Sequence, residues 1–263
     1  MRRSARVAAR KRNRGTPHEA DGATAAPIPA RVLARAHDSL SQAAAFDLDK
    51  ALAAHDRTLQ HAYAVARTAA IDNRRVEPAA EWLIDNVYLI RNEIREVREA
   101  LPAKIWRRLP RNDTDGEVVP RMLRALRACI AQGDGNVEPD AVERYLDDYQ
   151  AHATFDLVEL WTLPVLVRVA LIEGLAGDAA AITRRMRAYS NAEAWAERLI
   201  GVATRAPNDM LLGVAEMART DVFASAAFAA EFYRLLEGKH PSLKLALTFA
   251  EQQLEQRGTS VSR

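Results

Sequence analysis

The chain has 263 residues, enough for one large domain or two small ones, and its 49% apolar and 27% charged content is that of a globular protein. The net charge of +2 hides an uneven distribution: MRRSARVAARKRNR at the start holds seven of the 37 Lys and Arg and no acid, leaving 30 basic against 35 acidic groups in the rest. An acidic body excludes a nucleic-acid-binding fold, whose positive charge sits on the folded surface, and the lone Cys129 excludes an internal disulfide and fits a reducing compartment.

Residues 1–30 are Arg-rich and then Ala/Pro/Gly/Thr-rich without periodicity, which predicts a disordered basic tail. No apolar run follows the first arginines, so no secretory signal is expected. Residues 31–263 read as a single all-α domain. Leu48, Leu52, His55, Leu59, Ala62 and Val65 step by three or four residues, predicting a helix over 47–70. The next, AAEWLIDNVYLIRNEIREVREALP (79–102), opens after Pro78 and closes at Pro102. Its stripe, counted from the indole, is Trp82, Asn86, Ile90, Ile94, Val97 and Leu101. That reading makes Asn86 a buried amide bonded to a neighbouring helix end.

Further helices are expected from Pro120 to Gly133 and from Pro139 through Tyr149. Asp156 and Glu159 form a capping-box pattern before LWTLPVLVRVALIEGLAG (160–177), where Pro164 should kink the helix. Arg168 and Glu173 interrupt that apolar run, which is therefore a core helix and no membrane span. Separate helices are expected over 178–189, 192–204, 208–218, 221–237 and 241–257. No strand pattern of useful length is visible. The expected fold is a bundle of about nine or ten antiparallel helices.

Catalytic patterns are hard to find. The six histidines are scattered, and His55 and His61 point about 120° apart on one helix, so no metal site is expected. No phosphate loop, HExxH or GxSxG occurs, and no cofactor is expected. Asp47 and Asp49 sit at a helix start, where the dipole favours acids. Asp113 and Asp115 lie in RNDTDGE, a turn by composition, so neither pair reads as a metal-binding Asp-x-Asp. Trp82, Trp106, Trp161 and Trp195 fall at helical spacings typical of core. If the chain contacts carbohydrate, Trp82, Trp106 and Trp161 supply the stacking faces, with Asp85 or Glu159 accepting hydroxyl hydrogen bonds.

AAEWLIDNVYLIRNEIREVREALP resembles the opening of the helical N-terminal region of cyclic β-1,2-glucan synthases. The likeness continues in one order through AKIWRRLPR, VPRMLRAL, the Gly-Asp-Gly turn at 133–135, YLDDYQ, VELWTLPVLVRVALIEGL and HPSLKLALTFAEQQLEQRGTS, covering about residues 45–260. Ile105 and Trp106 stand where the family often has paired tyrosines, and Gln132 and Gly133 replace a His-Thr. The resemblance implies a non-catalytic helical domain, fragment or truncated homologue, of an inner-membrane enzyme that makes cyclic β-1,2-glucan from UDP-glucose. It also implies a place on the cytoplasmic side, against the transferase and membrane portions of that enzyme, with β-1,2-glucan as a further ligand. A freestanding helical protein-interaction module is the alternative.

Overall fold

A computed structural model describes residues 29–35, 46–114, 117–133, 135 and 137–255. The tail expected to be disordered lies outside the described residues, apart from Pro29 and Ala30. Ten α-helices appear in chain order among the described residues: α1 (Ala30–Arg35), α2 (Leu48–Ile71), α3 (Pro78–Ala100), α4 (Ala103–Trp106), α5 (Arg121–Gln132), α6 (Pro139–Gln150), α7 (Leu157–Arg205), α8 (Met210–Ala218), α9 (Ala226–Leu236) and α10 (Lys244–Glu255). The all-α reading holds.

Local chemistry explains where these helices begin and end. The Asp47 carboxylate accepts from the Lys50 amide at 3.1 Å and starts α2. Pro78 sits in the first turn of α3, where its missing N–H costs nothing. The Asp156–Glu159 capping box forms as expected, with the Asp156 amide donating to Glu159 Oε2 at 2.7 Å. Ser225 caps α9, four residues later than the expected start at Asp221, which opens a single 3-10 turn instead.

The largest departure from the expected layout is α7. One helix of 49 residues replaces the three expected over 157–204, running about 73 Å at 1.5 Å per residue. It organises everything else. Its first third packs with α2, α3 and α5 over a core containing Leu52, Leu59, Met122, Leu123, Leu126 and Leu166. Its last third packs with α8 and α9, with α10 beyond them, over a second core. There Phe223 meets Phe228 and Phe249 edge-on, with centroids 5.0 and 5.2 Å away. Between the two, Ala66, Ala80, Ile182 and Met186 form a small bridging cluster.

Two further corrections concern short features. A hairpin of β1 (Arg111–Thr114) and β2 (Glu117–Pro120) lies where only a turn was expected, pairing Arg111 with Pro120 and Thr114 with Glu117. The Phe46 amide donates to the Val118 carbonyl at 3.2 Å, fastening the entry to α2 onto this hairpin. Asn86, expected in the core, is only half-buried, and its amide donates to the Trp82 carbonyl of its own helix at 2.8 Å. The buried stripe of α3 runs through Ala80, Leu83, Val87, Ile90, Ile94 and Val97, one residue out of step with the expected one over its first two turns.

Candidate functional site

A cleft of about 340 Å³ lies between the end of α2 and the middle of α7. Its construction begins with Asn73, which ends α2 at φ 52°, the left-handed conformation that asparagine tolerates better than most residues. The Asn73 amide donates to the Ala70 carbonyl at 3.2 Å and the Arg74 amide to the Ala69 carbonyl at 2.9 Å, a Schellman turn. After this reversal, Arg74 and Arg75 return along the side of the bundle toward α7. Ala64, Val65 and Ala69 from α2, with Met186 from α7, make an apolar floor. His61, Thr68, Arg74, Arg75, Arg187, Tyr189, Ser190 and Glu193 complete the lining.

A network of ion pairs anchors one wall. Arg185 grips Glu77 with Nε at 2.9 and 3.0 Å and Nη2 at 2.8 Å, and the Tyr189 hydroxyl donates to Glu77 at 2.7 Å. Arg75 lies over the Tyr189 ring, 4.9 Å from its centroid, and reaches Glu231 of α9 at 2.6 Å. Arg234 also binds Glu231, whose side chain is wholly buried. Burial pushes the Glu77 carboxyl up, but the hydrogen bonds from Arg185 and Tyr189 outweigh it and hold the group below its usual range. Glu231 is likewise pushed up by burial and held low by Arg234 and Arg75. Burial and the bond to Glu77 raise Tyr189 to about 12, so it remains a donor.

The residues singled out in the sequence do not converge on this cleft. Trp82 is 47% exposed on α3 and Asp85 is exposed beside it. Trp161 is 78% exposed on the first turns of α7. The pairs Arg185–Glu77 and Arg168–Glu96 show that α3 and α7 run antiparallel. Trp161 therefore lies level with the end of α3, roughly 28 Å along the bundle from Trp82. Trp106 is buried, donating its indole N–H to the Phe46 carbonyl at 3.0 Å. Trp195 packs partly buried against the second core, under Arg198.

Glu159 is fully buried, and both its oxygens are bound by Arg121, at 2.8 and 2.6 Å. Arg121 also donates to the Thr154 carbonyl at 2.8 Å and lies 5.5 Å from the Phe155 ring centroid. This pair clamps the start of α5 to the start of α7 and leaves Glu159 no oxygen facing solvent. Nothing in the spacing of Arg74, Arg187 and Ser190 marked them in the sequence, since two helices and a loop bring them together.

No family model matches the chain. Over 193 residues it is 32% identical to the cyclic beta-(1,2)-glucan synthase NdvB of Rhizobium meliloti (strain 1021). The chain carries a region related to that enzyme. The match takes in 71% of the chain but only 6% of the synthase, so what the two share is a small part of a far longer protein. The likeness to glucan synthases expected from the collinear segments is thereby shown. Among the described residues no helix is long and apolar enough to cross a membrane, and no group of three His, Cys, Asp or Glu side chains is placed to hold a metal ion.

Proposed function

We propose that this chain is a non-catalytic helical component of a cyclic β-1,2-glucan synthase, packing against the transferase portion on the cytoplasmic side of the membrane. The observation that carries the reading is the 193-residue relationship to the Rhizobium meliloti synthase. The ionic chemistry of the fold supports it. Glu159, Glu173, Glu77 and Glu231 are each gripped by arginine: Arg121, Arg127, Arg185, and Arg75 with Arg234. A carboxylate locked to a guanidinium is a poor general base or nucleophile, because the pair stabilises its resting anionic form. Such pairs hold helices in register, which suits a part that positions other machinery.

Two measurements test the proposal. The purified chain, given UDP-glucose and a divalent metal, makes no glucan; measurable product refutes the non-catalytic reading. Deleting the matching segment from a cyclic β-1,2-glucan synthase abolishes glucan synthesis, and grafting residues 46–255 of this chain in its place restores it. Undiminished synthesis after the deletion refutes the supporting role.

A further inference from the structure

We propose that the cleft between α2 and α7 binds a phosphate monoester with a compact apolar body, the phosphate held by Arg187, Arg74 and Ser190. This inference stands on the cleft alone and is independent of the glucan-synthase reading.

The charge balance of the lining comes first. Three guanidiniums, of Arg74, Arg75 and Arg187, line the cleft with the carboxylate of Glu193, while Asp72 and Glu231 reach Arg74 and Arg75 from outside it. Only Arg75 is tightly paired, with Glu231 at 2.6 Å. Arg74 is loosely held, 3.3 Å from Asp72 and 4.0 Å from Glu193, with about half its side chain in solvent. Such exposed contacts contribute little and give way readily to a better partner. Arg187 is the decisive residue. Among the described residues no carboxylate lies within ion-pair distance of it, and its Nη2 instead meets His61 Nε2 at 2.8 Å. An imidazole carries no negative charge, so His61 supplies no countercharge there.

These groups line one cleft. Arg187 and Ser190 are three residues apart on α7, on one face of the helix. Arg74 Nη1 already reaches Ser190 Oγ at 3.3 Å from the opposite wall. Arg74 thus sits at the Ser190 hydroxyl, and Arg187 lines the same cleft beside His61. A planar carboxylate satisfies one fork, whereas a tetrahedral phosphate has oxygens for both forks and for the hydroxyl as well. Arg187, with no carboxylate beside it among the described residues, and the weakly held Arg74 supply the positive charge for an anion. The floor of Ala64, Val65, Ala69 and Met186 accepts no hydrogen bond, and the volume of about 340 Å³ is at the small end of ligand pockets and far above that of a bare ion. A compact apolar body attached to the phosphate fills it.

The test is calorimetric titration of the full chain with phenyl phosphate, inorganic phosphate and benzoate. The proposal expects phenyl phosphate to bind most tightly, and Arg187→Ala to weaken it by about tenfold or more. Ser190→Ala, which removes only a hydroxyl from a half-buried position, weakens it by a smaller factor. Circular dichroism confirms that both variants keep the helical signal of the parent. Tight binding of inorganic phosphate alone supports the anion site and overturns the apolar body. Benzoate binding as tightly as phenyl phosphate overturns the phosphate assignment. No binding at millimolar ligand, or binding that Arg187→Ala leaves unchanged, overturns the site.

Discussion

Asn73 shows how much a single residue can decide. Arg74 and Arg75 point toward α7 because the chain reverses at a left-handed residue, where a β-carbon costs about 1–2 kcal/mol unless a short polar side chain or glycine relieves it. Asn73→Ala should therefore destabilise the protein by about 1 kcal/mol, while Asn73→Gly stays near the parent; urea unfolding of both variants distinguishes this from a loop that tolerates any residue. The sequence shows an asparagine after a helical run but not the turn it makes. Trp82 and Asn86 illustrate the opposite error. They lie one turn apart, as do Leu83 and Val87, and both series lead to Ile90, Ile94 and Val97. Starting from the largest apolar residue selects the wrong face, because an indole can rest on a helix surface while a valine next to an asparagine is better buried. Burial settles it: Leu83 is 3% and Val87 4% exposed, while Trp82 is 47%.

The long helix α7 is the element least legible in the sequence. Gly174 and Gly177, followed by Asp178 and later Asn191, look like stops and starts, and each internal glycine costs about 1 kcal/mol relative to alanine. The helix continues through them because it buries Ile172, Ala176, Ala179, Ile182 and Met186 without a gap against its neighbours. Tertiary packing outweighs local preference here. Both glycines are exposed, and a β-carbon added at either would meet nothing within 4 Å. Their presence is therefore not a packing requirement. Gly174→Ala and Gly177→Ala should each stabilise the protein by about 1 kcal/mol, read as a higher urea midpoint at unchanged slope. A loss of stability in both would mean that the helix is bent or broken there. The hairpin escaped notice for a different reason. Its strands are four residues each and largely polar, too short for alternation to show, although Asp-Gly between them is a recognised hairpin signal.

Across the molecule, two hydrophobic cores share one helix, and what holds them in one cooperative unit is narrow. The bridging cluster is small: Ala66, Ala80, Ile182 and Met186, with Val65, Ala69, Val76 and Ile84 partly buried against it. Beside it, Glu231 of the second core takes Arg75 from the α2–α3 loop, and Glu77 at the start of α3 takes Arg185 and Tyr189 from α7. Both carboxyls are held below their ordinary value of 4.5 in the folded protein. The unfolded chain then binds protons that the folded one refuses. Their contribution is complete above about 4.5 and drains away as pH falls through the lower folded values. His55 starts an earlier loss below its ordinary 6.5, because burial, helped by Arg127 and opposed by Glu173, keeps it neutral in the fold. Glu231→Gln separates these effects. The amide keeps the shape but loses the charge that Arg75 and Arg234 hold, at a cost of about 2 kcal/mol at neutral pH. Stability of this variant should fall less steeply between pH 5 and 3 than that of the parent. The weakened link should also let the α8–α10 side open first. Urea unfolding followed by hydrogen exchange then shows amides of α9 and α10 losing protection before those of α2 and α5. A single transition in which both sets exchange together, at every pH, would mean that α7 alone couples the two cores and that the Arg75–Glu231 contact is incidental.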